Sequence, residues 1–209
     1  MKLYDCTTAP SPQRVRIFLA EKGVEIPFVQ VDLRNDEQLG DAFRKINPDC
    51  TVPVLELDDG TRLSEIIAIC QYLECQFPEP MLMGRDALER AMVSMWNAKI
   101  EQNGIAALAE TLRNRSKRMR DRALPGPLNL PQIPALVDRG RMRAEAFFDR
   151  LDGQLGDSEF VAGDQFSMAD ISAYVMVQFA GWSKISIQEG QEHLQRWHNT
   201  VSLRPSVTA

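Results

Sequence analysis

NPDCTVPVLELDDGTRLSEIIAICQYLE, residues 47–74, carries the order of elements that decides the fold. A strand-like run at 54–57 begins directly after Pro53, and a second at 61–63 follows the turn Asp58-Asp59-Gly60. Asp-Gly between two such runs signals a hairpin, because glycine supplies the positive φ that tight turns require. From residue 65 the period changes. Ile66, Ile69, Cys70, Leu73 and Phe77 fall on one stripe at helical spacing, so 65–77 reads as a helix.

Working outward, 2–4 reads as a strand, 12–22 as a helix, 28–31 as a strand and 37–46 as a helix. The order is βαβαββα. A βαβ opening favours a parallel pair, and the terminal hairpin adds antiparallel strands to the same sheet. This is an α/β, thioredoxin-like domain over residues 1–78. Residues 79–86 form a proline-flanked linker, and 87–209 read as an all-α domain. Leu88, Met92, Met95, Trp96, Ile100, Ile105, Leu108 and Leu112 recur at helical spacing, with Gly104 as a kink. Ala144, Phe147, Phe148, Leu151 and Leu155 form a second stripe, and a last helix covers 192–203. Ser167 and Asp170 make a capping box, with Phe166 and Ile171 as its hydrophobic staple, so Asp170 reads as a capping residue rather than a catalytic acid. Residues 116–134 read as a fraying helix end and a mobile loop.

Composition narrows the function class. The net charge of -5 over 209 residues argues against a nucleic-acid binder, and the basic run at 113–122 reads as a solvated helix end. Residues 1–86 carry 9 Lys/Arg and 15 Asp/Glu and the remainder 15 and 14, a change from -6 to +1 that supports the boundary near residue 86. No apolar run reaches the length of a membrane helix or a signal peptide, and the four cysteines lack metal spacing. The reading is a cytoplasmic protein with reduced thiols, no metal, no membrane and no nucleic-acid partner.

Three stretches together resemble one family. The quoted segment is similar to a signature built around a cis-proline followed by an acidic residue that opens a helix. VAGDQFSMADISAY (161–174) resembles the family's helix-capping motif, and EHLQRWHNTVSLRPSV (192–207) its C-terminal helix. The family is the cytosolic glutathione transferases, and the resemblance covers essentially the whole chain. It implies glutathione as co-substrate, a hydrophobic electrophile as second substrate, an acceptor site between the domains and a homodimer.

The resemblance also assigns residues. Val52-Pro53 would be cis and present the Val52 backbone to the cysteinyl unit, as a one-residue strand edge. Glu65, with Ser64 as N-cap, would start a helix whose amides of Glu65 and Ile66 receive the γ-glutamyl carboxylate. Ala9, Pro10, Ser11 and Thr51 complete the glutathione set. Met92, Met95, Trp96, Leu112 and Arg113 are candidates for the electrophile pocket. Cys50, two residues before Val52, reads as a buried or incidental thiol, with a mixed disulfide to glutathione as the alternative.

Two positions depart from the family pattern. Ile66 stands where a serine or threonine usually follows the acid, which removes one side-chain hydroxyl that would bond the ligand. Ala9 stands where several classes carry a catalytic serine or cysteine, and Tyr4 lies inside the strand. The segment resembles an atypical fungal and bacterial branch with a small residue there, in which a water helped by the first helix's N-terminus and by C-domain polar residues replaces the side chain. Where that branch implies a histidine, this chain has Arg113 and Asn114. Thiol pKa falls at helix N-termini, so a helix capped by Ser11 with Pro12 at its first position would aim the amides of Gln13 and Arg14 at the sulfur. Ser11, Thr8 and Asn114 are the candidate catalytic residues. The functional alternatives are a transferase, a non-catalytic glutathione-binding or protein-interaction protein, and a glutathione-dependent peroxidase.

Overall fold

A computed structural model describes residues 1–208. The chain divides into two compact units, Met1–Pro80 with Pro125–Leu128, and Met81–Leu124 with Asn129–Ala209.

The first unit holds β1 (Lys2–Asp5), α1 (Pro10–Glu21), β2 (Phe28–Gln30), α2 (Asp41–Arg44), β3 (Val54–Glu56), β4 (Arg62–Ser64) and α3 (Ile66–Gln76). The sheet order is β2-β1-β3-β4. β1 and β2 are parallel; β1 with β3, and β3 with β4, are antiparallel. Alternation along the strands divides the buried residues between two faces. Tyr4 and Val54, paired in register, join Val31, Phe43 and Val52 in one cluster, with the Phe43 ring edge-on to Tyr4 at 6.1 Å. Leu3 and Leu55 pair on the other face and are fully buried, as are Val15, Phe18, Ile69 and Leu73 of α1 and α3.

The sequence pattern predicts one helix over 37–46. The chain instead makes two 3-10 turns, Leu33–Asn35 and Glu37–Leu39, before the single turn of α2. Asp32 caps the first turn by accepting from the amides of Arg34 (2.9 Å) and Asn35 (3.2 Å), and Asp36 sits at φ 57°, which no continuous helix allows.

In the second unit, α4 (Ala87–Lys99), a π-helical stretch (Ile100–Ile105) and α5 (Ala106–Arg115) run on from one another. α6 (Ala135–Asp157), α7 (Met168–Ala180), α8 (Glu192–Ser202) and α9 (Pro205–Thr208) follow. The expected apolar stripe is only partly right: Leu88 is 71% exposed and Met95 39% exposed. The buried face runs instead through Val93, Asn97, Ile100, Gly104, Leu108, Thr111 and Asn114. Three of these are polar and one is glycine, so hydrophobicity does not report the face. The Asn97 amide donates to Val93 O (2.9 Å) and accepts from Ser172 Oγ (2.7 Å). At Gly104 a Cβ would come within 2.0 Å of Met176 Sδ, and at Gly140 within 2.5 Å of Ala107 O and Thr111 Oγ1. Close approach, rather than a kink, explains Gly104, and the extra residue of the π-turn shifts the helical phase there.

The 116–134 segment is tied down rather than loose. Gln132 Nε2 donates to Arg113 O (2.5 Å) and Ser116 O (2.7 Å), and Asn114 Oδ1 accepts from the Ile133 amide (2.7 Å).

The capping box forms as the sequence predicts, and Asp170 does more than cap. Its Oδ2 accepts from Ser167 N and Oγ (both 3.0 Å), and its Oδ1 from Val161 N and Trp197 Nε1 (both 2.9 Å). The carboxylate thereby joins the start of α7 to α8. Burial raises its pKa to about 6, against the lowering pull of its four donors. The folded protein therefore holds a proton between about pH 4 and 6 that the unfolded chain releases. This group's contribution to stability is largest below that window and declines as pH rises through it, by about 2–3 kcal/mol in all. Urea unfolding of wild type and Asp170→Asn from pH 4 to 7 is expected to show that decline in wild type alone; equal slopes would refute the assignment.

Candidate active site

The sheet register gathers three connections at one end of the sheet. Tyr4 pairs with Val54, and Val54 with Ser64. The end of β1, the start of β3 and the end of β4 are thus one row. Residues 6–9, 51–53 and 65–66 all leave from it.

The first connection is clamped by side chains that sequence reading overlooked. Asp5 is 1% exposed; its carboxylate accepts from Arg16 Nη1 and from Gln30 Nε2 (2.6 Å). Arg16 also donates to Thr7 O (2.9 Å) and Cys6 O (3.4 Å). Gln30 Oε1 accepts from Thr7 N (3.0 Å) and Thr7 Oγ1 (2.8 Å). Side chains from β1, α1 and β2 therefore fix the turn. The sequence signal is a carboxylate directly after the apolar pair Leu3-Tyr4 of a strand, which is expensive to bury unless paired. Thr8 is exposed, with its Oγ1 3.6 Å from Cys6 Sγ. Tyr4 OH points away from this turn, donating to Glu56 Oε2 at 3.3 Å.

The helix start differs from expectation. Ala9, not Ser11, is the N-cap of α1, at φ -93° and ψ 136°, and no side chain caps the helix. Pro10 occupies N1 and Pro12 N3. Pro10 both holds Ala9 extended and presets the first helical φ, so the helix begins two residues early. The amide inventory changes as a result. Ala9 N donates to Cys6 O (2.9 Å), Gln13 N donates to Ala9 O (3.3 Å), and the prolines have no N–H. Arg14 lies deeper in the helix and is buried. In α1, Ser11 alone among the described residues offers an unpaired first-turn amide, and its hydroxyl has no protein partner.

The second connection is held by Asn47, whose Nδ2 donates to Thr51 O (2.9 Å) and Oγ1 (3.1 Å). Cys50 is buried at φ 54°, its thiol donating to Pro48 O at 3.5 Å. Val52-Pro53 is cis, as expected. Val52 packs its side chain into the Tyr4 cluster, and neither its N–H nor its C=O has a backbone partner.

In the third connection Ser64 ends β4 and caps nothing. Glu65 is the N-cap of α3, at φ 67° and ψ 124°, with an exposed carboxylate. A non-glycine residue held there stores strain of about 1–3 kcal/mol, which is common where a ligand site dictates backbone shape. The first-turn amides from Ile66 onward have no intrahelical acceptor, and Ile69 N is the first to find one, on Glu65 O (3.0 Å). The Ile66 side chain turns into the core.

The C-domain candidates are arranged differently from the expectation. The Asn114 amide is spent on structure: Nδ2 donates to Glu110 O (2.9 Å) and Oδ1 holds Ile133 N. Arg113 Nη1 donates to Arg122 O (2.6 Å); burial, then the nearby Arg122 charge, lowers its pKa. Met95 faces solvent while Trp96 is 3% exposed, with Lys99 Nζ 4.3 Å from its ring centre, so these two do not share one wall. Met92 and Leu112 are half-buried. Among the described residues no cluster of His, Cys, Asp or Glu is suited to a metal ion.

The chain matches the family model for the glutathione S-transferase N-terminal domain over residues 8–76, and that for the C-terminal domain over 134–199. Glutathione S-transferase 2 of Saccharomyces cerevisiae is 34% identical over 99% of this chain and 88% of that protein. A glutathione S-transferase domain-containing protein of Marinobacter aquaeolei has a TM-score of 0.91 at 38% identity, covering 99% of this chain and 100% of its own. The crystal structure of Gtt2 from Saccharomyces cerevisiae has a TM-score of 0.91 at 34% identity, covering 100% and 99%.

Replacing Arg16 leaves the buried Asp5 carboxylate without its cation. Arg16→Met is expected to cost about 3 kcal/mol in urea unfolding and to speed amide exchange across residues 7–11 before global opening. Unchanged exchange there would show that the clamp does not order the turn.

Proposed function

Because the chain belongs to the glutathione transferase family, we propose that the three connections at the end of its sheet hold glutathione and present its sulfur, as thiolate, to a hydrophobic electrophile. The protein is a glutathione transferase; the roles of single residues are our reading. The Val52 N–H and C=O pair with the cysteinyl backbone. The amides at the start of α3 receive the γ-glutamyl carboxylate, where the helix dipole favours an anion. The Ser64 hydroxyl, free of any cap, stands in for the one lost at Ile66. The Glu65 carboxylate faces the ligand's ammonium.

The sulfur lies at the start of α1. Ala9 contributes no side-chain donor, so Ser11 donates from both its N–H and its hydroxyl. These bonds favour the thiolate over the thiol, and the thiol proton leaves to water. The thiolate sulfur then forms the C–S bond with the electrophilic carbon, whose leaving group departs with its bonding pair or, in an addition, whose carbanion takes a proton from water. The observation that carries this reading is the unpaired Ser11 amide and hydroxyl on a turn clamped by Asp5, Arg16 and Gln30. Thr8 lies on the exposed turn with its Oγ1 3.6 Å from Cys6 Sγ, and Asn114 is committed to Ile133.

That commitment also favours a second reading, a glutathione-binding protein without turnover. Ser11→Ala separates the two. In a transferase it should lower kcat/KM by about ten- to a hundredfold and raise the pKa of bound glutathione by about 1–2 units, with glutathione affinity nearly unchanged. Calorimetric binding of glutathione by wild type with no conjugation across several electrophiles would establish the second reading. No binding at millimolar glutathione would sink both.

We further propose a cytoplasmic homodimer. The four free cysteines fit a reducing compartment, and among the described residues no helix is long and apolar enough to cross a membrane. Leu88, Ala91, Met95 and Ala98 form an exposed apolar stripe along α4, suited to burial against a second copy. Leu88→Glu/Met95→Glu should shift light-scattering mass from dimer to monomer; a wild-type monomer would refute the assignment.

A further inference from the structure

Residues 113–122 hold six cations and one acid, and the structure makes them a fixed turn rather than a loose helix end. Met119 N donates to Ser116 O and Arg122 N to Met119 O (both 2.9 Å), while Arg113 Nη1 crosses the turn to Arg122 O (2.6 Å). These bonds gather the exposed residues Arg115, Lys117, Arg118 and Arg120 on one short turn. Arg115 Nη2 also donates to Trp182 O (3.1 Å), which puts Trp182 at the edge of the cluster. Its indole lies edge-on to the buried Phe179 ring at 5.3 Å yet is 52% exposed, so it is held in place and open to solvent.

The lack of acids sets this surface apart. Elsewhere cations are answered: Arg62 by Glu56 (2.8 Å), Arg139 by Glu110 (2.7 Å), Arg16 by Asp5 and Arg85 by Glu89. On the turn, Arg120 meets Asp121 at 3.9 Å, and among the described residues no acid pairs with Arg115, Lys117 or Arg118. Like charges held together repel, and an anion placed among them relieves that cost. Three of the four exposed cations are arginines, whose planar forks take carboxylates through two parallel bonds. Arginine and tryptophan are also the side chains that most often dominate the binding energy of protein interfaces. The chain carries -5 overall, with 9 Lys/Arg against 15 Asp/Glu in residues 1–86. A long polyanion or an anionic membrane therefore meets repulsion beyond the patch, whereas a short acidic segment covers the patch alone.

We propose that the turn bearing Arg115, Lys117, Arg118 and Arg120, together with Trp182, is a docking surface for a partner protein, which it engages through a short acidic segment carrying one apolar side chain. The carboxylates bind the cations, and the apolar side chain packs on the indole. This surface is independent of the glutathione site proposed above.

The test is calorimetry of the full chain at low ionic strength with a synthetic peptide of glutamates around one phenylalanine. Wild type should bind it, with affinity falling as salt is added. Lys117→Glu/Arg118→Glu should weaken binding by about ten- to a hundredfold and leave the unfolding temperature unchanged, since neither side chain has an acid to lose. Trp182→Ala should weaken binding by about tenfold for this peptide, and far less for one with alanine in place of phenylalanine. Equal binding by wild type and the charge-reversed variant would overturn the proposal, as would no binding at millimolar peptide. Equal binding of a lysine peptide would reduce the surface to non-specific contact and overturn it too. Binding of phosphatidylserine vesicles or a single-stranded oligonucleotide in preference to the peptide would overturn the choice of partner.

Discussion

The pairing of Tyr4 with Val54 and of Val54 with Ser64 is the constraint on which the rest of the site depends. It aligns the end of β1, the start of β3 and the end of β4, so three connections far apart in sequence meet at one end of the sheet. A slip of one residue would turn Tyr4 and Val54 onto the opposite face and exchange them with Leu3 and Leu55. The cluster of Tyr4, Phe43, Val52 and Val54 and its counterpart around Leu3 and Leu55 both oppose that slip. Hydrophobic burial thereby sets the place of the Val52 backbone.

Once the register is fixed, the groups left unpaired at this end of the sheet are mostly backbone: the Val52 edge, the first amides of α3 and the Ser11 amide of α1. Such groups do not depend on side-chain identity, so the site proposed above keeps them despite Ala9 and Ile66. Their precision comes from neighbours. Asp5, Arg16 and Gln30 hold the turn before α1, Asn47 holds Thr51, and the chain pays for the Glu65 conformation with strain. Asp170 does comparable work in the helical unit by joining two oxygens to four donors.

Where the sequence and the structure disagree, local devices compete with periodicity. Ser11 reads as a cap because serine favours that position, yet Pro10 presets a helical φ two residues before Pro12 and Ala9 takes the cap without a side-chain bond. Ser64 looked like a cap for the same reason, but pairing with Val54 keeps it in the sheet and passes the turn to Glu65. On α4 and α5 the apolar count selected Leu88 and Met95, whereas Asn97, Gly104 and Thr111 lie on the packed face. Satisfied polar groups and the closeness of facing helices chose that face, and neither is visible in hydropathy. The Asp5–Arg16–Gln30 clamp escaped notice because its members lie on three different elements.

The sequence by itself determined the order of elements, the hairpin at Asp58–Gly60, the capping box at Ser167 and Asp170, and the motif around Pro53. Each is a local pattern in which residues a few positions apart govern their own backbone. Only the tertiary structure decided which amides remain unpaired, that Asn114 serves the fold, and that Arg115 reaches the Trp182 carbonyl. The physical reason is that a hydrogen bond or a close contact between distant residues exists only after packing has brought them together. A donor's availability depends on every acceptor that packing has, or has not, placed beside it.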